Sequence, residues 1–149
     1  MTENELELWK DISGYEGIYQ ASNWGRVKSL NRIISKSRGR KQIIKERILK
    51  PEILFDGYQR VCLCKKGKKK HHRVATLVYE AFVGLVPEGM EIDHINGDNT
   101  DNRLNNLRVC THKENCNNPI TRDRQRRANE SRSRKVKEWW AKKKAVSTM

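Results

Sequence analysis

Residues 91–115, E-I-D-H-I-N-G-D-N-T-D-N-R-L-N-N-L-R-V-C-T-H-K-E-N, leave the backbone few options. Glu91 to Ile95 reads as a short strand. Asn96-Gly97-Asp98-Asn99 has to turn, because Asn-Gly readily supplies positive φ. Leu104, Leu107 and Val109 are apolar anchors beyond the turn. Thr111, with Glu114 three residues later, forms a capping box that starts a short helix. Strand, loop, strand and helix in this order can fold around one metal ion. Asp93 and His94 stand side by side at the end of the first strand. The carboxylate offers a hard oxygen ligand for a divalent cation, and the imidazole a proton acceptor near neutral pH. Hydrolysis of a phosphodiester needs both: a metal to hold the phosphate and a base to strip a water.

Charge points to the same substrate class. The net charge of +14 is divided unevenly: residues 26–73 carry +14 and residues 119–149 carry +8, while 1–25 and 74–118 carry −4 each. A cation site in a locally acidic stretch, bracketed by phosphate-seeking arms, fits an enzyme that works on nucleic acid. Long basic runs are commonly solvated faces, but blocks this dense favour the nucleic-acid reading. With 149 residues, 36% of them hydrophobic and 34% charged, the chain holds one domain, or one small domain with appendages. No run approaches the roughly 18 apolar residues of a membrane span. The acidic start at residues 1–8 lacks the basic-then-apolar pattern of a signal peptide. The expectation is therefore a protein without a membrane partner in a reducing cytoplasm, its four cysteines thiols rather than disulfides. The spacings of Cys62, Cys64, Cys110 and Cys116, C-x-C and C-x5-C, miss the usual zinc knuckles, so they read as small buried thiols. His71 and His72 read as facing phosphate or solvent.

Elsewhere the elements follow from local signals. Ile18–Ala21 and Arg26–Leu30 flank a hairpin-like turn at Ser22-Asn23-Trp24-Gly25. Residues 31–50 alternate around a turn at Ser37-Arg38-Gly39-Arg40. Tyr58–Cys64 and Lys69–Arg73 form a basic hairpin about Lys65-Lys66-Gly67-Lys68, suited to phosphate contact. Val74, Leu77, Val78 and Ala81 recur at helical spacing, so Val74–Phe82 reads as a helix stopped by Gly84 and Pro87. The tail from residue 121 to 149 is helical and very basic, with a small apolar face of Val136, Trp139 and Trp140.

Asp-His-Ile-Asn-Gly-Asp-Asn, followed by Asn-Arg-Leu-Asn-Asn-Leu-Arg-Val and Thr-His-Lys-Glu-Asn, resembles the HNH family of metal-dependent endonucleases, in the branch found among phage and intron-encoded homing endonucleases. The resemblance implies that Asp93 and Asn115 bind the cation through oxygen, that His94 is the general base, and that Asn106 braces the loop and orients the His94 ring. His112 is a second candidate for the last motif position and is read as a phosphate-contacting group. Oxygen ligands favour Mg²⁺ or Mn²⁺ over zinc. Because His94 must be neutral to act, activity should fall in acid. Residues 7–30, including Glu7-Leu8-Trp9-Lys10-Asp11-Ile12-Ser13-Gly14-Tyr15-Glu16-Gly17-Ile18-Tyr19, resemble a modular DNA-binding segment often joined to such nucleases. Trp9, Tyr15, Tyr19 and Trp24 are expected as a small aromatic core with Arg26 and Lys28 outside. The tripeptide Gly17-Ile18-Tyr19 also opens a different nuclease class, but its Y-I-G partner is missing downstream.

The expected architecture is α+β: an N-terminal antiparallel DNA-binding region (1–57), a ββα-metal HNH, or His-Me finger, domain (58–118) and a basic helical tail (119–149). The implied function is Mg²⁺-dependent hydrolysis of double-stranded DNA by a site-specific nicking or homing endonuclease in a phage-infected or bacterial host cell. Arg26, Lys28, Arg38, Arg40, Lys41, Lys65, Lys66, Lys68 and the tail cations would track phosphates, with salt-sensitive binding. One active site per chain implies that a monomer nicks one strand, double-strand cleavage needing a dimer or rebinding. The rival reading is a DNA-binding protein that kept an HNH-like fold without chemistry.

Overall fold

A computed structural model describes residues 6–147, so the first five residues of the acidic start and the last two of the tail lie outside the described part. Two compact units divide it, Met1–Cys110 and Thr111–Met149. The first unit opens with β1 (Trp9–Asp11), β2 (Tyr19–Ser22) and β3 (Val27–Ser29), joined by β6 (Arg47–Ile48) in a four-stranded sheet of order β1-β2-β3-β6. The β2–β3 hairpin pairs Tyr19 with Ser29 and Ala21 with Val27. Its turn closes through Ser22 N–H to Arg26 O at 2.8 Å and Gly25 N–H to Ser22 O at 3.0 Å. Between β3 and β6 the chain makes a separate hairpin, β4 (Arg32–Ser35) with β5 (Lys41–Ile44), around a turn where Arg38 has φ 62°.

β7 (Glu52–Ile53), β8 (Gln59–Lys65) and β9 (Lys68–Arg73) form a second sheet. Lys65 pairs with Lys68 across the two-residue turn Lys66-Gly67, whose φ values of 49° and 75° give the doubly left-handed turn that matches strand twist. Alternation along β8 buries Val61 and Leu63 and turns Cys62 and Cys64 to the other side. That face is open: Cys62 is exposed, Cys64 half-buried and Cys116 exposed, so only Cys110 is the buried thiol expected of all four. Helix α1 (Val74–Phe82) buries Val74, Ala75, Leu77 and Val78, as its periodicity requires. These residues meet Ile12, Tyr19, Ala21, Val27, Val61, Leu63 and Leu107 in a single core. Tyr19 ties the two sheets together, its hydroxyl accepting the Cys64 N–H at 3.0 Å.

The expected aromatic core is reduced to Tyr19 with Tyr15 edge-on at 5.7 Å. Trp24 is 43% exposed, and the cations lie on tryptophan rather than away from it: Arg26 sits 5.8 Å and Lys28 4.5 Å from the Trp9 ring centre. A small core has no room for two indoles, so they serve as platforms for cationic stems.

Strands β10 (Met90–His94) and β11 (Leu107–Thr111) pair with each other, and the loop between them carries the Asn-Gly turn. The second unit holds α2 (His112–Asn117) and α3 (Pro119–Ser147). The capping box at α2 forms as its sequence dictates: Glu114 N–H donates to Thr111 Oγ1 at 3.2 Å, and Thr111 N–H to Glu114 Oε2 at 2.8 Å. Among the described residues, no helix is long and apolar enough to cross a membrane.

Candidate active site

Asp93 and His94 end β10 and are 5% and 2% exposed. An ionised carboxylate this deep requires a cationic partner. Arg108, on the neighbouring strand β11, supplies it: its Nε donates to Asp93 Oδ2 at 2.8 Å and its Nη2 lies 2.7 Å from the same oxygen. Arg108 was not singled out in the sequence. The signal available was its place between the inward anchors Leu107 and Val109, one strand over from Asp93.

The His94 ring is held from Nε2, which lies 2.9 Å from Asn102 Oδ1. Asn102 in turn donates from Nδ2 to Gln59 Oε1 at 2.9 Å, so its carbonyl oxygen is the atom that faces the imidazole. An amide oxygen only accepts, so Nε2 carries the ring proton and Nδ1 keeps its lone pair. Nδ1 is buried and without a hydrogen-bond partner. Tyr58 covers the ring with its centroid 5.7 Å away.

Asn106, expected both to brace the loop and to orient His94, braces the loop. Its Oδ1 accepts the Asn96 N–H at 3.0 Å, and its Nδ2 donates to Asn96 Oδ1 at 3.0 Å and Asp101 O at 2.8 Å. With all its polar atoms spent across the loop, Asn106 leaves the ring bond to Asn102, four residues earlier. Two aspartates complete the brace. Asp98 accepts from the Thr100 N–H and hydroxyl at 2.9 and 2.7 Å, which lower its carboxyl below the ordinary value. Arg103, bonded to both oxygens of Asp101 at 2.8 Å, holds that carboxyl down at about 2.

The loop is also gripped by the N-terminal sheets. Gly25, at φ +85°, presses so closely that a Cβ there would fall 2.6 Å from the carbonyl carbon of Asn102, so only glycine fits. Leu104 N–H donates to Asn23 O at 2.9 Å, and Asn99 Nδ2 to Asp56 O at 3.1 Å.

The donor chemistry suits a hard divalent cation. Asp93 presents a carboxylate that already takes a cation, here the Arg108 guanidinium, and a buried imidazole lone pair stands next to it in the chain. Asn115 and His112 both belong to α2 in the second unit, where His112 Nε2 lies 3.5 Å from Cys116 Sγ. Among the described residues, no group of three or more His, Cys, Asp and Glu side chains could hold a metal ion.

The cations expected on DNA fall into two kinds. Arg38, Arg40 and Lys41 at the β4–β5 tip, and Lys65, Lys66 and Lys68 at the β8–β9 tip, are exposed. Arg26 is paired with Glu7 through Nε and Nη2, and Lys28 has a side chain only 16% exposed that reaches Glu46 at 3.3 Å.

Comparison with known proteins defines the class. Residues 69–116 are an HNH endonuclease domain, and residues 7–64 match the NUMOD4 motif. The chain thus carries a stretch that matches the HNH endonuclease family, preceded by one that matches the NUMOD4 motif. It is 40% identical over 114 residues to the DNA endonuclease I-HmuI of Bacillus phage SP01, covering 76% of this chain and 58% of that one. The solved structure described as DNA binding and cleavage by the HNH homing endonuclease I-HmuI matches with a TM-score of 0.61 at 40% identity, over 78% of this chain and 59% of that chain. An uncharacterized HNH endonuclease of Acanthamoeba polyphaga mimivirus is 35% identical over 124 residues, 76% of this chain and 26% of the relative. The chain therefore spans less than two thirds of the length of each of these relatives.

Proposed function

We propose that the chain is an endonuclease that hydrolyses phosphodiester bonds of double-stranded DNA with Mg²⁺ or Mn²⁺, as a site-specific nicking or homing enzyme. The observation that carries this reading is the buried, unpartnered Nδ1 of His94, next in the chain to the buried Asp93 carboxylate, inside the stretch that matches the HNH domain. His94 Nδ1 takes a proton from water as that water attacks phosphorus, and the Nε2–H bond to Asn102 steadies the imidazolium that results. Asp93 and, by its place in the motif, Asn115 supply oxygen ligands to the cation. When bound, that ion offers Lewis-acid stabilisation of the phosphate charge and of the departing 3′ oxygen. Asn106 keeps the loop closed so that the base and the carboxylate stay in register. Arg108 neutralises the Asp93 carboxylate, the group that would also hold the cation.

DNA is held by the exposed cations of the two hairpin tips and by the tail. Arg26, Lys28 and His112 belong to the same set, the first two working mainly as fixed positive charge because Glu7 and Glu46 already engage them. The three-part division at 57 and 118 is retained as a functional one: grip, chemistry and tail. A single site on each chain makes a monomer on DNA a nicking enzyme, and double-strand breaks need two chains. The place of action is the DNA of a phage-infected or bacterial host cell.

Incubation of the protein with supercoiled plasmid tests the reading. Added Mg²⁺ is expected to convert plasmid to the open-circular form, and chelation by EDTA to stop conversion while leaving the DNA bound. Binding with no Mg²⁺-dependent relaxation would instead support a DNA-binding protein without chemistry.

A further inference from the structure

We propose that the N-terminal motif is part of the catalytic apparatus as well as a DNA grip. Gly25 and Gln59 are positioning residues that, through Asn102, hold the His94 imidazole in the tautomer with a free Nδ1 lone pair, and Tyr58 restrains the ring directly. The proposal rests on the reading of His94 as the general base.

Five contacts carry it, each joining a residue in the NUMOD4 match (7–64) to the loop or base in the HNH match (69–116). Gln59 Oε1 accepts from Asn102 Nδ2 at 2.9 Å, which fixes which end of that amide faces His94. The Tyr58 ring lies 5.7 Å from the imidazole at 57°, and Arg73 sits 4.2 Å over the far partner, Tyr58, restraining it. The Gly25 backbone backs Asn102 at a distance that no side chain tolerates. Asn23 O and Asp56 O anchor the loop on either side of Asn102, through Leu104 N–H at 2.9 Å and Asn99 Nδ2 at 3.1 Å. None of these groups is an exposed cation, so DNA affinity gives no reason for them.

The logic is one of donors and acceptors. Were both amides turned over, Asn102 would present N–H to His94, Nε2 would become the acceptor, and the proton would move to Nδ1. A buried Nδ1–H without an acceptor is costly, whereas a buried lone pair awaiting a water is the state a base needs. Gln59 therefore acts at two removes from the reacting atom, by deciding which way one amide points.

The experiment uses the full chain as wild type, Gln59→Leu and Gln59→Glu. Three readouts are taken: single-turnover cleavage at saturating DNA, DNA affinity, and the ¹⁵N chemical shifts of the neutral His94 ring in DNA-free protein. Wild type is expected to show the Nε2–H tautomer. Gln59→Leu removes the acceptor and should lower the cleavage rate by about ten- to a hundredfold, the range seen when support behind a reactive ligand is lost. Its affinity should stay within about twofold, and Nδ1–H signal should appear. Gln59→Glu keeps an acceptor for Asn102 and should restore the rate to within about threefold of wild type. The proposal is overturned by an Nδ1–H ring in wild type, by a Gln59→Leu protein that cuts at full rate with its tautomer unchanged, by equal losses in the two variants, or by a loss confined to affinity. If wild-type protein fails to cut at all, the reading of His94 as a base fails, and the ring shifts still decide separately whether Gln59 sets the tautomer.

Discussion

The loop between β10 and β11 and helix α3 are held by opposite means. Residues 95–106 have almost no regular structure, yet Asn106, Asn96, Asp98 and Asp101 bond one another, the Thr100 hydroxyl and the backbone at 2.7–3.4 Å, and contacts from residues 23, 25, 56 and 59 close the loop from outside. Helix α3 is 29 residues of regular structure held by its own neighbours: Asp123 bridges Arg126 and Arg127, and Arg126 also lies 3.7 Å from Glu130. Its apolar residues Val136, Trp139 and Trp140 are 53%, 51% and 60% exposed. Exposed pairs of this kind add little stability. The contrast teaches that irregular backbone can be the more rigidly specified part when side-chain amides replace the ladder. Such a loop can hold a base in one orientation, whereas a solvated helix can only offer charge.

The contrast can be broken from either side. His94→Ala should have the largest effect, lowering single-turnover nicking by about 10²–10⁴-fold with affinity nearly intact; a variant cutting at full rate would remove His94 from the chemistry. Asn106→Ala deletes three hydrogen bonds from a residue 8% exposed. It is expected to cost about 1–3 kcal/mol of stability in urea titration and to speed hydrogen exchange of the Asn96 amide. Removing residues 120–149 should leave the rate at saturating DNA unchanged while weakening binding and flattening its salt dependence. An unaltered slope in a salt titration would take the tail off the phosphates.

The smallest effect concerns pH. Asp101 has a carboxyl lowered from 3.8 to about 2, first by the Arg103 hydrogen bond, so its stabilisation is complete above the ordinary carboxylate range and is lost only as pH falls through about 2. Hydrogen exchange in the loop should therefore be insensitive to the Asp101–Arg103 clamp between neutrality and mild acid. Any loss of cleavage in that window arises elsewhere.

Much of this was legible in the chain because its signals are local. Asn-Gly and Lys-Gly pairs mark turns, Thr111 and Glu114 write a helix start, and the spacing of Val74, Leu77 and Val78 gives α1 one buried face. The bond from Gln59 to Asn102 spans 43 positions and joins two side chains that carry no periodic or capping signal. Nothing in the chain separates Asn102 from Asn106 as the partner of His94; the structure does, because the loop consumes every polar atom of Asn106. The cysteines depart from expectation for a related reason: alternation fixes that Cys62 and Cys64 share a face, but only the packed sheet shows that this face is open.

One property of α3 bears on the lifetime of the protein. A helix with its lysines and arginines in solvent and little apolar burial is expected to open more readily than the packed core, and each opening would offer peptide bonds to trypsin-like proteases. Free chains should be clipped there first and chains lying on a polyanion spared, so that limited trypsin digestion with and without DNA reads out whether the helix is engaged.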